Sequence, residues 1–353
     1  MSIRVSRRVA LLSAALGGAL ARVGSSRADD AVAPTPVVFP DDEGVHADSL
    51  TEWWYYTGHL VTADGDRYGF EDVFFRASRD GLRGWAAHCG LTDKHTPSFR
   101  YDQRIVVGEA DGDLAAPGMD FRIDDWRIAG LDGEDRIVGS VDGAVWRLEL
   151  SSTKPPVLHG GDGYTQGSNT ETSYYYSRTH YAVEGTLIRD DLPVAVTGLG
   201  WMDHQWGDFT SFSEGGWDWF ALQLDDDTEL MAYYVRDSDD LRYLASGTFV
   251  AADGAYEELS ADAFTITPTG SWTSPESGGT YPMGWTLDDP ARQLRVSIDP
   301  VLVEQELDTR NTTMVTYWEG AVTVEGSLAG EPIAGEGYVE MTGYARERDG
   351  GVP

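Results

Sequence analysis

Beyond residue 28 the chain keeps one rhythm: short runs rich in aromatic and β-branched residues, each closed by Gly, Asp or Pro, with no long 3.6-residue apolar pattern anywhere. That periodicity excludes a helical bundle or a helix-covered parallel sheet, and predicts antiparallel strands in series that close into barrels or sandwiches. EWWYYTGHLVT at 52–62 breaks at Ala63-Asp64-Gly65-Asp66 and resumes as RYGFEDVFFRA, which reads as a hairpin with an Asp-Gly turn. WDWFALQL, the turn Asp225-Asp226-Asp227 and ELMAYYVRD repeat the arrangement in the second half. Only 259–264 reads as a helical turn. The economical division is two related all-β domains, 46–199 and 200–353, after an extended, Pro-rich lead-in at 29–45; a single large sandwich is the competing arrangement.

The amino terminus carries Arg7 and Arg8, an apolar run from Val9 to Leu20, and the small-x-small sequence Ser26-Arg27-Ala28. This predicts a twin-arginine export signal over 1–28 and a secreted, cell-surface or periplasmic protein; an uncleaved lipophilic anchor is the alternative. Cys89 is the one cysteine, so no internal disulfide forms, and its small neighbours suit a buried packing residue.

With 59 acidic against 26 basic residues the net charge is −33, and loss of the five arginines of 1–28 takes it to −38. Such a surface releases no counterions from nucleic acid, which excludes backbone binding as the main role. Lys94 and Lys154 are the only lysines. Dense carboxylates with almost no lysine suit a salt-adapted protein, an ordinary acidic secreted protein being the alternative.

The most concentrated chemistry lies at 198–209, GLGWMDHQWGDF. As a strand, it places Met202, His204 and Trp206 on one face and Trp201, Asp203 and Gln205 on the other. Together with EWWYYTGHL, YGFEDVFFR, AHCGLTD, SYYYSRTHYAVEGTL, WDWFALQLDDDTELMAYYVRD, YWEGAVTVEG and GYVEMTGYA, this stretch resembles the carotenoid 1,2-hydratase and AttH-like family, also labelled secreted hydrolases or lipocalin-like proteins. The resemblance covers nearly all of the chain after the leader. It implies two lipocalin-like β-barrels packed together with a ligand cavity near their junction, and relatives that act on polyenes without metal or organic cofactor.

Hydrating an isolated alkene needs a carboxylic acid kept protonated by an apolar pocket, an aromatic wall for the carbocation, and a water. Asp203 is the first candidate acid, with a structural hydrogen-bonded role as its alternative. His204 and Trp206 match the family's H-x-W element, which implies that they line the cavity. In the hydratases an aspartate on the following hairpin is implicated as proton donor; in this chain residues 231–236 read MAYYVR, with no acid before Asp237. Tyr233 or Tyr234 stands there instead. Glu52 is a second candidate acid, its alternative an ion pair with an arginine such as Arg76. Trp53, Trp54, Tyr55, His88, Tyr175 and Trp219 complete the expected ligand-binding set. Glu319 and Glu340 alternate with apolar residues and read as inward groups that orient tyrosines or arginines.

No H-x-x-x-H or H-E-x-x-H spacing predicts a metal, and no G-x-S-x-G elbow supports a serine hydrolase. Two functions remain: a cofactor-free hydratase or cyclase acting on an isoprenoid or polyene, and a carrier of apolar lipid or pigment with no chemistry. No pattern in the sequence sets the oligomeric state.

Overall fold

The computed structural model describes residues 34–345 apart from 80, 116, 167–171, 210–214 and 238. The leader expected at 1–28 lies outside the described residues. Beyond residue 50 the chain is almost entirely strand, as the periodicity dictates. The first sheet contains β1 (Thr51–Thr62), β2 (Arg67–Arg79), β3 (Leu82–Asp93), β4 (Ser98–Val107), β5 (Asp111–Gly112), β6 (Met119–Ile123), β7 (Trp126–Leu131), β8 (Glu134–Val141), β9 (Ala144–Ser152), β10 (Val157–Leu158), β11 (Tyr164–Gln166), β12 (Thr172–Arg189) and β13 (Leu192–Gly207). The second contains β14 (Gly216–Leu224), β15 (Glu229–Arg236), β16 (Arg242–Val250), β17 (Tyr256–Leu259), β18 (Thr265–Thr273), β19 (Thr280–Asp289), β20 (Leu294–Pro300), β21 (Glu306–Asp308), β22 (Thr316–Leu328) and β23 (Glu331–Thr342).

Each sheet is antiparallel and meanders except where it closes on its last strand and where short side strands are skipped, β9 pairing with β12 and β20 with β22. In the first, β1 pairs with β13 rather than only with its hairpin partner, giving the order β4-β3-β2-β1-β13-β12-β9-β8-β7-β6-β5. In the second, β14 pairs with β23 in the same way. Both sheets curl until their ends meet. Arg104 of β4 donates to the Ile123 carbonyl of β6 at 3.2 Å and stands 3.9 Å from the Trp126 ring centroid. In the second sheet Tyr234 of β15 accepts the Ile266 amide of β18 at 3.0 Å. The change of sheet falls after Gly207, because β13 runs through residue 200 and pairs with β1 as far as that glycine.

Period-two alternation then decides what each strand touches. Along β1, Trp54, Tyr56 and Leu60 enter the first barrel's core, whereas Tyr55 joins a separate aromatic cluster with Trp201, Tyr175, Trp219 and Tyr338 between the two sheets. Phe220, Leu222 and Leu230 fill the second barrel in the same manner. The sheets approach so closely that a Cβ at Gly69 would meet Tyr338 Oη at 2.5 Å and Ala321 Cβ at 2.8 Å. Only glycine fits there without displacing the facing strand.

The lead-in is not merely extended: Asp41–Glu43 forms a short 3-10 helix, and Glu43 is buried against the first barrel. Its carboxylate accepts from Arg178 Nη2 and from the Asp132 amide, and its carbonyl accepts Trp54 Nε1 at 3.1 Å. The helical turn expected at 259–264 is a single hydrogen-bonded turn, Ala263 N to Ser260 O at 2.9 Å.

Candidate functional site between the two sheets

Register places two rows of side chains face to face. Across the first sheet, His88, Val73, Tyr55, Asp203 and Ser177 are consecutive partners on β3, β2, β1, β13 and β12. Across the second, Glu319, Glu340, Trp219, Tyr233 and Ser246 are consecutive partners on β22, β23, β14, β15 and β16. Consecutive partners share a face, so each row is a line of neighbours. Tyr55 Oη donates to Glu319 Oε1 at 2.5 Å and Trp219 Nε1 donates to Tyr175 Oη at 3.2 Å, joining the rows. Trp219 also meets Tyr55 and Trp201 edge-on, with ring centroids 5.3 Å and 6.2 Å away.

The seam buries the carboxyls of Glu71, Asp203 and Glu319 and half-buries that of Glu340. Burial penalises the charged form and raises each above its usual range. Asp203 rises to about 6 although Ser177, Tyr175 and Trp201 all donate to it. Trp201 Nε1 reaches Asp203 Oδ1 at 2.7 Å and Tyr175 Oη reaches Oδ2 at 2.6 Å, while the Ser177 hydroxyl donates to Oδ1. Glu340 rises to about 7 against the hydrogen bond from Trp217 Nε1 at 3.0 Å, with the Asp203 charge adding to the rise. Glu71 rises to about 8 despite the bond from Tyr317 Oη at 3.0 Å. Glu319 is pushed well up by burial and then by Glu71 and Glu340. Among the described residues, Glu71 Oε2 and Glu319 Oε2 find no hydrogen-bond partner. An oxygen so placed suits a neutral acid far better than an anion.

The opposite face of β1 and β13 holds a different cluster. His204 Nε2 lies 3.0 Å from Glu52 Oε1, and His46 Nδ1 lies 2.8 Å from the same oxygen. Burial works against the charge on Glu52, but the bonds from His204 and His46 outweigh it and its pKa falls. Glu52 is therefore held as a carboxylate, and Arg76 Nη1 stands 4.0 Å from its Oε2. Burial drives His204 down to about 4, so its imidazole is neutral. Trp206 stacks on His46 with centroids 3.9 Å apart and on Tyr174 at 5.2 Å.

His46, Glu52 and His204 bring three ligand-type atoms within 4.8 Å of one another, a convergence that sequence spacing does not reveal. The donor set fits a hydrogen-bonded clamp better than a cation site. Both Glu52 oxygens also accept the His46 amide at 3.1 Å, and a guanidinium already neutralises them.

The expected site residues thus separate into three places. Trp53, Tyr55, His88, Tyr175, Asp203, Trp219 and Tyr233 belong to the seam. Glu52, Trp54, His204 and Trp206 belong to the first barrel, Trp54 stacking on Trp85 and on His204 at 5.7 Å and 4.8 Å. Tyr234 packs in the second barrel against Phe264. Sequence reading misses Glu71, whose signal is an acid inside the apolar run YGFEDVFF. Cys89 is buried beside Asp72, to which it donates at 3.0 Å, and is a packing residue as expected.

Two curled antiparallel sheets packed through an aromatic, carboxyl-rich seam define a lipocalin-like double-barrel protein. The AttH-like family pattern matches residues 30–344, and the chain belongs to that family. A crystal structure described as an AttH of Nitrosomonas europaea is 32% identical, with a TM-score of 0.80 over 90% of this chain and 100% of that one. A kievitone hydratase of Fusarium solani subsp. phaseoli is 21% identical over 87% of this chain and 86% of its own length. The kievitone hydratase structure from Nectria haematococca shares the fold, with 19% identity, a TM-score of 0.70, and 88% and 94% of the two chains covered.

Proposed function

We propose that this chain is a cofactor-independent hydratase that adds water across a carbon–carbon double bond of an apolar, isoprenoid-type molecule held at the seam. Asp203 supplies the proton and Glu340 takes one from water. The observation that carries this reading is the placement of buried Asp203 and half-buried Glu340 on two facing rows at one aromatic seam, where burial raises them to about 6 and about 7 and the Asp203 charge adds to the rise of Glu340. An acid and a base each work best with a pKa close to the operating pH. Transfer from Asp203 to one alkene carbon leaves a cation at the other, faced by Trp219, Trp201 and Tyr175, whose ring faces attract positive charge. Water adds to that carbon and its proton goes to Glu340, so substrate plus water gives the alcohol with no other reagent. Similarity to a kievitone hydratase supports the reaction class.

A second reading is a carrier of lipid or pigment. It is favoured by the three donors on Asp203, which also fit a purely structural knot. Export by a twin-arginine signal, with action outside the cytoplasm, belongs to either proposal. Purified protein incubated with kievitone and with acyclic carotenoids, followed by mass spectrometry, separates them. The hydratase yields a product heavier by one water, whereas the carrier retains its ligand unchanged.

A further inference from the structure

Asp203 lies 4% exposed in the seam, so once it has given up a proton it has no direct route to solvent. A chain of exchangeable groups nevertheless leads outward from it. The Ser177 hydroxyl donates to Asp203 Oδ1. His159 Nε2 is 2.7 Å from Ser177 Oγ, and His159 Nδ1 is 3.0 Å from Thr248 Oγ1. Thr248 Oγ1 is 3.4 Å from Glu258 Oε1. Ser177, His159 and Thr248 are buried, and Glu258 is half-buried at the rim of the second sheet.

We infer that Glu258, Thr248, His159 and Ser177 form a proton relay that recharges Asp203, with His159 as the tautomeric switch. The inference rests on the reading of Asp203 as the acid.

The directions of the hydrogen bonds are mutually consistent. Ser177 spends its one proton on Asp203, so its oxygen accepts the Nε2–H of His159. The neutral imidazole then has its lone pair on Nδ1 and accepts the Thr248 hydroxyl. With Glu258 ionised the Thr248 hydroxyl donates to Glu258 Oε1 at 3.4 Å; protonation of Glu258 reverses that bond and frees the Thr248 proton for His159. Burial raises Glu258 above the usual carboxylate range against the bonds from Thr248 and the Gly160 backbone. With Glu258 protonated every bond in the row points toward Asp203, and with Glu258 ionised and Asp203 protonated every bond points toward Glu258.

One transfer balances at each atom. Glu258 gives its proton to Thr248 Oγ1, whose own proton passes to His159 Nδ1. His159 Nε2–H passes to Ser177 Oγ, and the Ser177 proton passes to Asp203 Oδ1. Glu258 ends ionised, Asp203 ends protonated, and His159 ends as the other neutral tautomer. No imidazolium forms, in keeping with an imidazole that burial drives down to about 3. His159 is fixed for this by the 3.1 Å bond from its amide to the Tyr175 carbonyl and by its ring lying 4.2 Å from that of Tyr175. The relay also crosses the seam, since Ser177 and His159 come from the first sheet and its loops, and Thr248 and Glu258 from the second.

The test needs no substrate in its first arm. In protein labelled with 15N-histidine, the His159 ring proton is expected to exchange with solvent at least tenfold faster in the wild type than in Thr248→Val or Glu258→Gln, with all three proteins folded by circular dichroism. Equal exchange in the three proteins overturns the relay. The second arm follows kievitone turnover in the same samples: the relay predicts a lower kcat with unchanged KM in both variants. Kievitone left untouched by the wild type, with the exchange difference intact, counts against the hydratase reading and not against the relay. Should Thr248→Val fail to fold, Thr248→Ser restores the hydroxyl and is expected to exchange like the wild type; slow exchange in Thr248→Ser also overturns the relay.

Discussion

Tyr55 Oη and Glu319 Oε1, 2.5 Å apart and both buried, form a direct hydrogen bond between the two sheets. Among the described residues Glu319 finds no partner for its other oxygen, and burial followed by its acidic neighbours pushes its pKa well up, favouring the neutral acid. Tyr55→Phe removes the donor and leaves the Glu319 oxygen unsatisfied, which is expected to cost about 1–3 kcal/mol in denaturant unfolding. Glu319→Gln keeps a neutral group with an acceptor oxygen, and should change stability by less than the tyrosine variant. The reverse order would mean that Glu319 is ionised in the folded protein.

The seam carboxyls also set a direction for pH dependence. Asp203, Glu340 and Glu71 rise from ordinary values of 3.8, 4.5 and 4.5 to about 6, 7 and 8. Across that window the folded state binds more protons than the unfolded one, so stability falls as pH rises. In molar salt, where net-charge repulsion is screened, melting temperature should drop from about pH 5 to about pH 8. Glu71→Gln with Glu340→Gln should flatten the slope. A wild-type melting temperature that climbs over the same window would contradict the assigned shifts.

The two lysines both bridge the two sheets. Lys154 Nζ donates to both Glu229 oxygens at 2.8 Å and to the Ala251 carbonyl at 3.1 Å. Lys94 Nζ donates to Glu336 Oε1 at 2.7 Å, where Arg67 provides a second cation. Among the described residues, Lys154→Met leaves the fully buried Glu229 carboxylate with only His180 Nδ1 at 2.7 Å and Thr179 Oγ1 at 3.2 Å, and should cost about 3 kcal/mol by chemical denaturation. Lys94→Met leaves Glu336 paired with Arg67, so its cost should be about 1 kcal/mol or less. Equal costs would show that burial does not distinguish the two bridges.

A net charge of −33 repels itself in dilute buffer. Melting temperature at neutral pH should therefore rise between dilute buffer and molar salt. An unchanged value would remove the case for salt adaptation.

Strand rhythm makes the all-β class and the hairpins legible, because alternation is local. Alternation within WMDHQW also correctly puts Asp203 and His204 on opposite faces. It cannot say what each face meets, which is why the sequence alone groups Glu52, His204 and Asp203 in one site. The partners lie far along the chain: Glu319 is 264 residues from Tyr55, and Glu43 is 135 from Arg178. His159 shows the same limit, since nothing near Leu158 or Gly160 in sequence announces Ser177 or Thr248 as neighbours. Glu319 and Glu340 are legible as inward groups, but their acidity depends on carboxyls from the other sheet.

Asp203→Asn tests the central claim most directly. The amide keeps the shape and the acceptor oxygen of Asp203 but has no acidic proton to deliver. With circular dichroism and melting temperature as fold controls, wild type and variant are incubated with kievitone and acyclic carotenoids, and products are weighed by mass spectrometry. The wild type is predicted to give a product heavier by one water, and turnover should be lower by at least about 100-fold in a folded variant that still binds the substrate. Hydration by the folded variant at the wild-type rate would contradict Asp203 as the proton donor.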